Sequence, residues 1–408
     1  MFALSGQIQR GLRTSIAQKA LVLIVFSTFV SVRIIAWRMP VPSFLIYGDA
    51  YIYYVPAGVA YISGALPDSI NPEHPPLGKY ILGLFAVYFR SPNLGSILFG
   101  FATAVAAFLI ARKLTPNTHW AVAGVWLLAF DSISVSISIS PMPDVFMLFF
   151  ALLGLYLLLI AKNKFHYGSV GLIFGLAMAS KWTALFLAIP ALAFVFADRR
   201  YLNGFIMLMA ALGGYTFSYI HLIVAKGFKA FVSLQMWMAQ FMLTSHGAGT
   251  SNPLLSSLSV LIFHSTTFVA VSGYDPSVHP EAFRFLGNSY ISLAEAINPL
   301  IVLALFPVLC AYIRRFLLYR HRARVLMLLV LLSLVAGEMA FPPSVALWYY
   351  APVNAVISIL ASDLLSDFRG MSIRKKRVTY LYLALVATWL FYANAIAFIR
   401  VAYYQRLI

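Results

Sequence analysis

Residues 94–138 read LGSILFGFATAVAAFLIARKLTPNTHWAVAGVWLLAFDSISVSIS. Two apolar runs, 94–112 and 118–138, meet at a short junction that holds Arg112, Lys113 and Pro116. Each run is about 20 residues long, enough to cross a hydrocarbon core roughly 30 Å thick as a helix. Taken over their full length the runs lack the alternation that a membrane β-strand requires, so the pair reads as two spanning helices joined by a basic turn.

The same pattern extends along the chain. Of its 408 residues 62% are hydrophobic and 10% charged, and the mean hydropathy is +0.87. A soluble domain of this size needs far more charge to solvate its surface. Apolar runs fall at 17–37, 94–112, 118–138, 144–161, 167–181, 183–197, 202–223, 292–313, 325–341, 344–365 and 379–400. Long outer segments fall at 38–92 and 226–291. The expectation is an all-α, polytopic membrane protein of about eleven spans and one domain, 1–408.

Charge sets the orientation. The net charge of +17 is that of a nucleic-acid binder in magnitude, but the cations sit in the short gaps between apolar runs, which is the positive-inside pattern. With the N-terminus inside, the inner segments collect 19 of the 29 basic residues, among them Arg112, Lys113, Arg199, Arg200 and Arg322. The C-terminus then lies outside. Segment 77–90 is apolar but short, and a crossing there would carry Arg112 and Lys113 outside. It reads as a helix in the outer interface. The first apolar run lacks a small-residue cleavage site and is not read as a cleavable signal. Cys310, the single cysteine, excludes an intrachain disulfide framework.

Most of the twelve acidic residues fall on the outer face, where a carboxylate beside a membrane is costly and usually has a purpose. Asp49 follows the first span in YGDAYIYY, with Tyr53 close by. Asp144 opens the fourth span in SPMPDVF. Both stand at one membrane depth, suited to a general base and a positioning group; helix capping is the alternative for Asp144. In NPEHPPLGKY (71–80), Pro75 and Pro76 stiffen a stretch that carries Glu73, His74 and Lys79. An acid, an imidazole and an ammonium there suit a lipid phosphate, or simply make a proline-stiffened turn. Glu73 and His74, with Asp144, are also candidate ligands for a divalent metal, although the spacing is not a zinc signature. Lys181, in GLAMASKWTALF, lies between apolar stretches, where an unpaired ammonium is expensive. Asp144 or a phosphate is its expected partner, with snorkelling as the alternative. Trp182 reads as an interface aromatic. His264, in the second outer segment, is either an acceptor-positioning group or an interface histidine.

In this order, an acid in a Tyr-rich loop, HPPLGK, an Asp opening a span and GLAMASKWTALF resemble the protein O-mannosyltransferase family over about 20–200. The aminoarabinose and related lipid-linked-sugar transferases are cousins. The resemblance implies a membrane glycosyltransferase of the C-type fold with a polyprenyl or dolichyl monophosphate sugar donor, mannose by family default. It implies a hydroxyl acceptor, a protein Ser/Thr or else a lipid or glycan, on the extracytoplasmic side of a prokaryotic or archaeal plasma membrane. It assigns Asp49 as catalytic base, with Asp144 as a second catalytic acid and Lys79, Lys181 and Arg90 on the donor phosphate. Two features depart from the family: Ala50 follows Asp49 where many members carry a second acid, and Asn93 stands near an expected arginine, for which Arg90 substitutes. Segment 226–291 is too short for the β-trefoil insertion of eukaryotic members. No P-loop or dinucleotide motif is present, in keeping with a lipid-linked donor. A transporter or flippase would predict repeats and midplane charges; only Asp131 and Arg33 fit, and no repeat is visible.

Overall fold

The structure, a computed structural model, describes residues 19–20, 22–31, 33–34, 49–115, 118–244, 322–340 and 351–366. All regular structure among them is helical. The helices are α1 (Val22–Ser31), a π-helical turn (Ala50–Tyr54), α2 (Val55–Ile62), α3 (Leu77–Phe89), α4 (Pro92–Leu114), α5 (Thr118–Phe130), α6 (Ser132–Ile139), α7 (Pro143–Ile160), α8 (Lys164–Ser180), a 3₁₀ turn (Trp182–Ala184), α9 (Leu185–Ala197), α10 (Tyr201–Phe217), α11 (Ile220–Lys226), α12 (Phe228–Thr244), α13 (Arg322–Ala340) and α14 (Ala351–Ser366). The expected spans 292–313 and 379–400, and His264, lie outside the described residues.

The main core joins α4, α7, α8, α9, α13 and α14 through side chains such as Ile110, Leu152, Phe174, Leu187, Met327 and Ile357, all fully buried. Apolar side chains on the outside of α8–α10, among them Leu172, Ile189 and Phe205, remain exposed, as suits helices facing hydrocarbon. Among the described residues α4 and α7 are long and apolar enough to cross a membrane, and α10 with α11 is a third such element if the bent pair is one span.

Two expected continuous spans are interrupted. The run 118–138 divides at Asp131 into α5 and α6. Asp131 Oδ2 accepts from the Ser134 N–H at 2.8 Å, so the carboxylate caps a new helix rather than riding inside an old one. The break would strand polar groups in an apolar interior. Here Arg33 Nη1 donates to the freed Ala129 carbonyl at 2.7 Å, its guanidinium lies 3.3 Å over the Phe29 ring, and Asn354 Nδ2 donates to Asp131 Oδ1 at 2.9 Å. Likewise 202–223 bends by 67° between α10 and α11, where Ser218 Oγ donates back to the Tyr215 carbonyl at 2.7 Å. The outer segment from 226, read from sequence as a loop, opens with helix α12.

The short segment 77–90 is a helix, α3, as its apolar pattern requires. It lies against α2 with no room for side chains between them: a Cβ on Gly83 would stand 2.1 Å from the Gly58 carbonyl oxygen, and one on Gly58 2.2 Å from that of Lys79. Backbone atoms block both directions, so neither helix has a flexible group that can yield. Gly83→Ala is therefore expected to destabilise the protein by about 3 kcal/mol through overpacking. Val87→Ala, on the exposed face of α3, should stay within about 0.5 kcal/mol of the wild type. Thermal midpoints in detergent compare the two.

Candidate active site

The site is built where three segments distant in sequence converge. Pro76 and Leu77 start α3, Met142 and Pro143 start α7, and Ser180 ends α8. Gly78 sits in the middle: a Cβ there would lie 2.8 Å from Pro143 Cβ and 3.4 Å from the Ser180 carbonyl oxygen. HPPLGK is thus pressed against both PDV and SKW, and only a glycine permits it.

Beyond this contact lies a buried ion pair. Lys181 Nζ donates to Asp144 Oδ1 at 2.7 Å, with side-chain exposures of 3% and 0%. Two ions this deep in an apolar interior are tolerated only together. The backbone of Lys181 is extended, φ −160° and ψ 140°; the chain leaves α8 there and re-enters a 3₁₀ turn, which aims the ammonium at the start of α7. Asp144 lies in the first turn of α7, where the N–H ends of the helix favour a carboxylate. Capping and pairing, alternatives on sequence grounds, are both realised. Asp144 Oδ2 is buried and has no hydrogen-bond partner among the described residues.

The loop before α3 arranges the second cation. Asn71 adopts the left-handed region, φ 48°, which asparagine tolerates better than most residues. Its amide donates to Glu73 Oε1 and its carbonyl accepts from Lys79 Nζ. The Lys79 side chain is fully buried, near Glu73 and 5.6 Å from the centre of the Tyr61 ring. Burial pulls its pKa down from 10.5 to about 7, against the opposing pull of Glu73. Tyr61 secures the loop by donating to the Ile70 carbonyl at 2.5 Å. His74 is buried too, its ring 5.6 Å from that of Tyr54.

Asp49 immediately precedes the π-helical turn and is half-buried. The next residue, Ala50, is wholly buried in one apolar cluster with Tyr54, Leu82, Met142, Val145 and Phe146. That cluster brings the Asp49 end of the turn to α3 and to the residues flanking Asp144. Four expected residues, Lys79, His74, Asp144 and Lys181, therefore share one end of the bundle, and Asp49 borders it.

Two others do not join them. Arg90 ends α3 in the left-handed region, φ 52°, and is exposed. It lies eleven residues from Lys79 along the helix, roughly 16 Å at 1.5 Å per residue, so it is not part of the Lys79–Lys181 cluster. Tyr53 is 50% exposed, whereas Tyr54 is 3% exposed and meets His74. Ala50 and Tyr54, four apart, occupy the inner face of the turn, and Tyr53 points elsewhere. Spacing from Ala50 was the signal that would have selected Tyr54. Trp182 is more than an interface aromatic: its Nε1 donates to Tyr215 Oη at 2.8 Å, and Tyr215 Oη donates to Gln235 Oε1 at 2.5 Å, tying the Lys181 turn to α10 and α12. Lys226 pairs with Asp68 at 2.6 Å, joining the end of α11 to the first outer segment. Among the described residues no three His, Cys, Asp or Glu side chains gather as metal ligands; Glu73 is engaged by Asn71 and Asp144 by Lys181, and no step below uses a metal.

Residues 73–223 match the family model of dolichyl-phosphate-mannose-protein mannosyltransferases. The likeness carried by HPPLGK and GLAMASKWTALF is thereby borne out. No curated protein gives a significant match. Solved structures do. Archaeal oligosaccharyltransferase AglB from Archaeoglobus fulgidus, in complex with an inhibitory peptide and a dolichol-phosphate, is 14% identical with a TM-score of 0.56, over 95% of this chain and 56% of its own. An Archaeoglobus fulgidus oligosaccharyltransferase complex with Zn and sulfate is 16% identical, with a TM-score of 0.57, over 92% and 52%. ArnT from Cupriavidus metallidurans bound to undecaprenyl phosphate is 14% identical, with a TM-score of 0.56, over 92% and 63%. The chain has the membrane C-type glycosyltransferase fold. It spans between half and two thirds of the length of these C-type structures.

Two outcomes test this arrangement. Lys181→Met leaves a buried carboxylate without its counter-charge and is expected to cost about 3–5 kcal/mol, most of which Asp144→Asn restores when combined with it; unfolding in detergent measures both. For Lys79 the sign runs upward with pH. The unfolded chain holds the proton up to 10.5 while the folded protein releases it at about 7. Between these values the unfolded state binds more protons, so stability rises with pH by about 1 kcal/mol per unit, and below 7 the contribution is constant. Thermal midpoints from pH 6 to 10 should show this rise in the wild type and lose it in Lys79→Met.

Proposed function

We propose that the protein is an inverting glycosyltransferase. It moves a sugar, with mannose as the specific assignment, from a polyprenyl or dolichyl monophosphate donor to a hydroxyl of a protein serine or threonine on the extracytoplasmic side. The observation that carries this reading is the meeting of HPPLGK, PDV and SKW around Gly78, which collects two lysines and a carboxylate at one end of an apolar bundle. A lipid-linked donor keeps its tail in hydrocarbon and its phosphate at the interface, where two lysines at one end of an apolar bundle can face it. The family match over 73–223 and the dolichol-phosphate and undecaprenyl phosphate bound in two similar structures support the donor class.

The chemistry follows from charge. The acceptor oxygen attacks the anomeric carbon, its proton passes to the Asp49 carboxylate, and the bond from that carbon to the phosphate oxygen breaks. The lipid phosphate leaves with one more negative charge than it had in the donor, so cations that face it stabilise the transition state. Lys79 is a fitting partner: an anion beside it raises its depressed pKa and restores the ammonium. Lys181 spends at least one of its three N–H donors on Asp144, which prevents an unpaired buried cation before the donor arrives. Asp144 positions Lys181 in this scheme, and Asp49 is the group that handles the proton. His74, held against Tyr54, and Glu73, held by Asn71, shape the entrance beside Lys79.

Purified protein incubated with radiolabelled polyprenyl-phosphate-mannose and a Ser/Thr-rich peptide is expected to label the peptide. Asp49→Asn should lower turnover about 10²–10⁴-fold, the usual contribution of a positioned base, while donor binding by equilibrium dialysis stays close to wild type. Donor binding without peptide labelling would redirect the acceptor to a lipid or glycan. Failure to bind any lipid-phosphate sugar would remove the enzyme reading and favour transport.

A further inference from the structure

The opposite end of the bundle carries a polar cavity that the transfer scheme does not use. It has a volume of about 320 Å³ and is lined by Lys113 at the end of α4, Ala161 after α7, Tyr167 on α8, Phe194 on α9, Arg200 before α10 and Arg322 at the start of α13. Its wall at Leu158 lies fourteen residues along α7 from Asp144, roughly 21 Å at 1.5 Å per residue. Six helix ends open on it, and each contributes a basic, aromatic or capping residue.

Three cations face this cavity without a lining carboxylate. Arg200 Nη1 donates to Tyr167 Oη at 2.7 Å, which fixes the direction of its fork and leaves other N–H groups for a ligand. Arg322 contacts Asp198 and lies over the Phe194 ring at 5.5 Å. Lys113 is exposed and has no ion-pair partner among the described residues. Two guanidinium forks and one ammonium around an opening of this size match the donors that a phosphate group needs. The distribution of basic residues along the chain puts this end at the cytoplasmic face, where anionic lipids are concentrated and basic pockets between helix ends capture their headgroups.

We propose that this cavity binds a phosphate group, held by Lys113, Arg200 and Arg322 and presented by an anionic phospholipid at the inner face. The site is separate from the transfer site and does not depend on the activity assigned to it. Binding there ties α4, α8, α10 and α13 together at the end remote from catalysis and stabilises the folded bundle by mass action.

Full-length protein in detergent is titrated with phosphatidylglycerol, phosphatidylcholine or sodium phosphate at constant ionic strength, and read by thermal midpoint and native mass spectrometry. Phosphatidylglycerol is expected to raise the midpoint and to remain bound, whereas phosphatidylcholine does neither. Lys113→Gln, a change at an exposed side chain that folding tolerates, should weaken the apparent affinity at least threefold. Lys113→Gln with Arg200→Gln should abolish the shift. If sodium phosphate alone gives the shift with the same dependence on the variants, the phosphate site stands and a soluble anion is its source. If phosphatidylglycerol acts equally on wild type and Lys113→Gln, or if phosphatidylcholine acts as strongly, the assignment is wrong.

Discussion

An ammonium and a carboxylate 2.7 Å apart, both closed off from water, organise this protein. Neither is affordable alone at that depth, because an isolated buried ion costs several kcal/mol even after relaxation. The pair forces the end of α8 to meet the start of α7. The backbone at Lys181 is extended as the chain leaves α8, and Pro143 starts α7 one residue before Asp144. Once these two ends are joined, the glycine of HPPLGK can dock between them, and the start of α3 acquires a fixed seat.

That seat explains how the stretch leading into α3 keeps its shape. Glycine on both sides lets α2 and α3 touch backbone to backbone. Asn71, in a left-handed conformation, holds Glu73 through its side chain and Lys79 through its carbonyl. The buried lysine therefore has a hydrogen-bond acceptor but an ammonium held only weakly against deprotonation. A group in this condition answers to an incoming anion more strongly than a solvated surface lysine does. On the other side, Trp182, Tyr215 and Gln235 connect the same turn to α10 and α12.

The interruptions within the bundle obey one rule, that a backbone group freed in an apolar interior must find a partner. At Asp131 the carboxylate caps α6 and Arg33 reaches across to the Ala129 carbonyl. At Ser218 a hydroxyl bonds back to Tyr215 as the chain turns. Hydropathy reports both stretches as single runs because it averages over about twenty residues and is blind to one capping side chain. The same blindness hid the preference for Tyr54 over Tyr53, which a π-helical turn decides, and the divergence of Arg90 from the lysines, which the length of α3 decides.

From the sequence alone came the all-helical class, the short helix within 77–90, the pairing need of Lys181 and the motif order that resembles the mannosyltransferase family. All of these rest on local composition and on the cost of placing charge in hydrocarbon, which any chain must meet residue by residue. Only the tertiary structure decided that Asp144, 37 residues away, is the partner of Lys181. It also decided that Gly78 is the contact joining three motifs, and that Lys113, Arg200 and Arg322 surround one cavity. Those are facts about how helices pack. Packing depends on shape complementarity between segments far apart in the chain, which no local pattern encodes.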